Sequence, residues 1–111
     1  MNAENFIFSN EAEWVQINDG MRRQILGYDE QMMLVKIEFK AGGFGYAHQH
    51  SHRQCTYVVS GVFEFEVGSK TKIVRAGDGL YMEPNVIHGV KCIEEGVLID
   101  TFSPMREDFL K

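Results

Sequence analysis

Apolar and polar residues alternate along much of the chain. Met33, Val35, Ile37 and Phe39 fall on one side of a two-residue repeat, and Lys36, Glu38 and Lys40 fall on the other. That pattern predicts a strand with one face against a core. Phe63, Phe65 and Val67 likewise oppose Glu64 and Glu66, and Gly68-Ser69 reads as a tight turn into residues 70–75. The two runs predict a hairpin. Residues 56–59, 79–83, 86–93 and 97–102 continue the series, with Glu94-Glu95-Gly96 as the turn between the last two. Residues 14–17 and 21–26 flank a further turn at Asn18-Asp19-Gly20. Helix signals are weak. Residues 10–14 predict a short turn, and residues 104–110 a brief helix with Ser103 as its N-cap and Pro104 at its first position. Glu107 and Asp108 in the early turns suit the helix dipole. Short strands separated by glycine turns predict an all-β fold of roughly eight to ten strands, a barrel or jelly roll.

Composition narrows the class. The chain has 111 residues, a length that suits one domain with its own core. It carries 11 Lys+Arg against 16 Asp+Glu, a formal net charge of −5. Broad nucleic-acid binding is therefore not expected, because neutralising phosphates requires a basic stripe. No apolar run approaches the roughly 20 residues of a membrane-spanning helix, so no membrane partner is expected. Residues 1–10 lack the basic and apolar blocks of a signal peptide, and the expected location is the cytoplasm. Two cysteines, Cys55 and Cys92, agree with a reducing compartment and read as packed apolar side chains. No internal repeat or linker divides the chain.

The candidate chemistry lies in the histidines. His48, His50 and His52 fall within five residues, and His88 stands apart. On an extended strand His48 and His50 share a face, and Gln54 shares their parity. His88 can close the same site from another strand. Three imidazoles and an amide oxygen suit one divalent transition metal, such as nickel, zinc, manganese or iron. His52 replaces Gln54 if the loop turns differently. An H-x-H pair alone fits a solvated loop equally well, so the spacing around it decides. Gly42 precedes His48 by five intervening residues, His50 precedes Gln54 by three, and Gln54 precedes Gly61 by six. Downstream, Gly77 opens Gly77-Asp78 and precedes Pro84 by six, and Pro84 precedes His88 by three.

This frame resembles the two motifs of the cupin superfamily, the first at residues 42–61 and the second at 77–90. The resemblance implies a single cupin domain over residues 1–111, folded as a double-stranded β-helix, or jelly-roll barrel. It also implies metal ligation by His48, His50, Gln54 and His88. Gln54 stands where the family usually has an acidic ligand. Two roles are open to it: ligand through its amide oxygen, or hydrogen-bonding neighbour of a water ligand. An all-neutral set leaves the ion's full double charge, which favours a small anionic sugar or carboxylate as substrate.

Asp100 sits within the apolar run Val97-Leu98-Ile99, where an unpaired charge is costly. Either it pairs at a strand end with a basic neighbour, or it faces the barrel interior as a general acid or base. Arg106 reads either as a cap on the terminal helix or as a fork for a substrate carboxylate. The run D-x-F-x-P-x-R-E-D-F from Asp100 to Phe109 resembles the carboxy terminus of the KdgF family, the small cupins of pectin and alginate breakdown. That resemblance places Asp100, Phe102 and Arg106 in the site, Asp100 and Arg106 in catalysis, and Phe102 and Arg106 on the substrate. It implies conversion of Δ4,5-unsaturated monouronates to linear 4-deoxy-5-keto uronates. Two other classes fit a metal-binding cupin: a dioxygenase of a small organic substrate, and a non-catalytic sugar or metabolite binder. A homodimer is the expectation by analogy with other small cupins.

Overall fold

A computed structural model describes residues 4–110. Its strands are β1 (Val15–Asn18), β2 (Met21–Asp29), β3 (Met32–Phe39), β4 (Phe44–His48), β5 (Arg53–Val67), β6 (Lys70–Arg75), β7 (Gly79–Met82) and β8 (His88–Ser103). Every pairing is antiparallel. The order β1-β2-β3-β8-β5-β6, with β4 on β8 and β7 on β5, makes the expected all-β jelly-roll barrel. Among the described residues, no helix is long and apolar enough to cross a membrane.

β3 behaves as its alternation predicts: Met33, Val35, Ile37 and Phe39 are buried and the residues between them are not. The two long strands differ from the sequence reading, and their differences shape the barrel. Residues 56–59 and 62–67 are not separate strands but parts of β5. Residues 94–96 do not reverse the chain, because β8 runs straight through them, with Glu94 opposite Val62 on β5 and Gly96 opposite Phe39 on β3. The glutamates are exposed, which gave the segment the composition of a turn.

The pairing of β5 with β8 shifts register between Val58 and Phe63. An inserted residue flips the side chains that follow it to the opposite face. On β5, Gln54, Thr56 and Val58 are therefore buried before the shift, and Phe63 and Phe65 after it. β8 keeps one parity throughout, burying His88, Cys92, Leu98, Asp100 and Phe102. The strands meet at Gly61 and Gly96. Gly61 has φ +88°, and a Cβ there would lie 2.7 Å from the carbonyl oxygens of Glu94 and Glu95. A Cβ on Gly96 would strike the Ser60 carbonyl oxygen.

Three smaller differences follow from context. β4, Phe-Gly-Tyr-Ala-His, lacks a two-residue apolar repeat and gave no strand signal; it exists by pairing with β8. Ser103 is not a helix cap but the last residue of β8, opposite Arg53, and only Glu107–Leu110 forms a 3-10 turn. Cys92 is buried as expected, whereas Cys55 faces outward because its neighbours Gln54 and Thr56 take the inner face.

The glycine contact yields a stability test. Gly96→Ala places a methyl group against backbone that has no room to move, and should destabilise the fold by roughly 2 kcal/mol or more. Gly27→Ala, where nothing lies within 4 Å of the new methyl group, should cost far less. Urea denaturation measures both, and equal stabilities would refute the role given to the corner.

Candidate metal centre and cavity

His48 ends β4 and His88 begins β8, and the two face each other directly across the ladder. Their ring centroids are 4.6 Å apart. His50 lies beyond the end of β4, so it joins them from a loop and not by strand parity. The loop is held there by Asn85, whose backbone N–H donates to the His50 carbonyl at 2.7 Å. The His50 ring is 5.5 Å from that of His48 and 4.9 Å from that of His88. One ligand atom from each of the three lies within 4.8 Å of the others. His52 stays outside this group.

Each ring is oriented by its own backbone. Nδ1 of His48 meets the Tyr46 carbonyl at 2.8 Å, Nδ1 of His50 the His52 carbonyl at 3.1 Å, and Nδ1 of His88 the Val86 carbonyl at 3.0 Å. A carbonyl only accepts, so each Nδ1 carries the proton and each Nε2 keeps a lone pair. Such an arrangement is what metal-ligating histidines require of their surroundings. Burial lowers the pKa of His50 and His88 and keeps them neutral; the nearby Arg106 charge adds to the effect. Nε2 of His88 is buried without a hydrogen-bond partner.

Gln54 and Thr56 connect this cluster to Asp100. Gln54 Nε2 donates to Thr56 Oγ1 at 3.1 Å, and the Thr56 hydroxyl donates to Asp100 Oδ1 at 2.6 Å. The first bond turns Gln54 Oε1 toward His50 Nε2, 3.1 Å away. Two lone pairs then face each other, which is favourable only with a cation bound beside both. The three histidines fit a divalent ion, and Gln54 Oε1 lies beside them at His50. Asp100 is 6% exposed and forms no ion pair among the described residues, so it is the interior carboxyl and not a strand-end surface partner. Desolvation lifts its pKa from an ordinary 3.8 to about 6, against the opposing pull of Thr56, Gln54 and Arg106. The sequence reading passed over Thr56, although its parity with Gln54 was visible.

Gln54, His48, His88, Asp100, Phe102 and Arg106 all line one cavity of about 370 Å³. That volume suits a small organic ligand. Phe102 lies edge-on to His50 at 5.9 Å. Arg106 is not an open fork. Its Nε and Nη2 donate to the two oxygens of Asp108 at 3.1 and 2.9 Å, and its guanidinium rests on Phe109 at 4.4 Å. The pair holds the Asp108 carboxyl below its usual range. Arg23, Asp108 and Phe109 also line the cavity, where the sequence reading gave no site role to any of them and placed Asp108 only at the helix dipole. Arg23 had a signal: it interrupts the apolar face Met21-x-Arg23-x-Ile25 of β2.

Comparison with known proteins agrees with this geometry. The chain is 39% identical over 107 residues to the pectin degradation protein KdgF of Dickeya dadantii, covering 95% of this chain and 97% of that one. Its fold superposes on the crystal structure of an RmlC-like cupin from Shewanella frigidimarina with TM-score 0.94 and 45% identity, over 98% and 99% of the two chains. It superposes on KdgF from Halomonas sp. with TM-score 0.90 and 33% identity, over 95% and 99%. The family model for the cupin domain matches residues 35–102, a span that holds both motifs, β5, nearly all of β8 and the three-histidine cluster, and the chain belongs to that family.

Proposed function

We propose that this cupin is a metal-dependent enzyme of pectin or alginate breakdown. It opens the ring of Δ4,5-unsaturated monouronates to give linear 4-deoxy-5-keto uronates. The near full-length similarity to KdgF of Dickeya dadantii and of Halomonas sp. supports the substrate class. The observation that carries the reaction is the buried Asp100 carboxyl, joined through Thr56 and Gln54 to the histidine cluster on the wall of one cavity.

His48, His50, His88 and Gln54 hold the ion, and a divalent transition metal bound there supplies a Lewis acid for negative charge on substrate oxygen. Asp100 moves the proton. Its carboxylate accepts the proton of the C1 hydroxyl; the C1 carbonyl forms as the bond from C1 to the ring oxygen breaks. The electron pair stays on that oxygen as an enolate at C5. The carboxylic acid formed at Asp100 then protonates C4, leaving a C5 ketone and the original carboxylate. No atom is gained or lost. A pKa near 6 suits a group that must accept and return a proton near neutrality. Phe102 offers a flat apolar wall to the sugar ring. Arg106, braced by Asp108, adds positive field and the N–H groups that Asp108 leaves free.

Metal analysis and activity test separate parts of this proposal. His48→Ala, His50→Ala and His88→Ala should each lose most bound metal while circular dichroism still reports a folded barrel. Gln54→Ala should lose less, because water can replace a neutral oxygen. Stoichiometric metal in two of the histidine variants would overturn the ligand set.

Asp100→Asn keeps the size and the hydrogen bond from Thr56 but removes the proton acceptor. Its turnover should fall by roughly 10²-fold or more with metal content unchanged. NMR of unsaturated galacturonate and mannuronate reads the conversion. Full activity in this variant would remove Asp100 from the reaction, and no acceleration of either sugar by the unaltered protein would remove the uronate assignment.

A further inference from the structure

Two guanidinium groups border the cavity, and they differ in what they hold. Arg106 gives two of its N–H groups to Asp108, so its charge is largely matched. Arg23 forms no ion pair and donates no side-chain hydrogen bond among the described residues. Its guanidinium lies flat enough to bring Cζ 3.7 Å from the centre of the Phe109 ring.

Its place in the fold makes that state costly. Arg23 stands opposite the buried Ile37 on β3, between Met21 and Ile25, both of which pack on the core. A residue needed only to fill this space would be apolar like those neighbours. A charge on the inner face of a strand without a partner is unfavourable unless something brings it one. Burial pulls the Arg23 pKa down, yet a guanidinium stays protonated in a protein. Contact with Phe109 fixes the plane of the fork and leaves its N–H edge for a ligand. Asp108 acts on Arg23 through its charge alone, because both its oxygens accept hydrogen bonds from Arg106.

We propose that Arg23 is the residue that binds the substrate's carboxylate, using its unpaired guanidinium fork, while Arg106 with Asp108 supports the Phe109 wall beside it. Resting on the uronate reading, this makes Arg23 a specificity-determining residue that separates sugar acids from neutral sugars. A planar fork binds a carboxylate through two parallel hydrogen bonds, which fixes both the position and the rotation of the sugar relative to Asp100.

The test compares D-galacturonate with its methyl ester, which keeps the shape and removes the charge. Binding of each to the metal-loaded protein is followed by NMR titration, alongside the kinetics on unsaturated galacturonate. The unaltered protein should favour the acid over the ester by roughly tenfold or more. Arg23→Met, which keeps the apolar stem, should erase that preference and raise KM by a similar factor, with a smaller change in kcat. Arg23→Lys keeps the charge without the fork and should retain part of the preference; it carries the test alone if Arg23→Met does not fold.

A preference that survives in Arg23→Met overturns the assignment, and so does equal weakening of acid and ester, which is the mark of a packing role. With Arg23→Lys alone, a preference equal to that of the unaltered protein overturns it. If no uronate is converted but the preference for galacturonate still depends on Arg23, the linearisation reading fails and the carboxylate site stands.

Discussion

The contact between Gly61 and Gly96 is the constraint from which the rest of the molecule follows. Both long strands pass through it without interruption, and no side chain fits between the two backbones. The register shift beside it reverses the inner face of β5, while β8 keeps its own. Before the shift β5 turns Gln54, Thr56 and Val58 inward, and after it Phe63 and Phe65. A single strand thereby sends both Gln54 and Phe65 to the cavity wall from opposite sides of the shift. On β8 the inner face begins at His88 and continues through Cys92, Leu98, Asp100 and Phe102.

The electrostatics of the compartment are consistent with one purpose. Burial lowers the pKa of His50 and His88 and lifts that of Asp100 to about 6. The guanidiniums of Arg23 and Arg106 border the cavity; Asp108 pairs with Arg106, and its charge also acts on Arg23. The same cavity carries an aromatic wall at Phe102 and Phe109.

Much of this was legible in the sequence. The period-two pattern of β3 gave its buried face residue by residue, and the spacing of the two motifs gave the histidines that cluster. What stayed hidden depends on distant parts of the chain. The exposed Glu94-Glu95 pair resembles a turn until β5 is placed against it, and β4 has no apolar repeat because β8 alone holds it in place. His50 reaches the cluster through a loop tied to Asn85, which strand parity cannot describe. The pairing of Arg106 with Asp108 and the stacking of Arg23 on Phe109 both depend on the 3-10 turn that follows β8.

The central claim is that the chemistry of this barrel requires one ion held by the histidine cluster. Protein stripped with a chelator and then titrated with a divalent metal, while NMR follows unsaturated galacturonate, tests it most directly. The account predicts a negligible rate without metal and a rate that rises linearly to a plateau at one equivalent per chain. An undiminished rate in the stripped protein, or conversion that does not follow the bound metal, would contradict it.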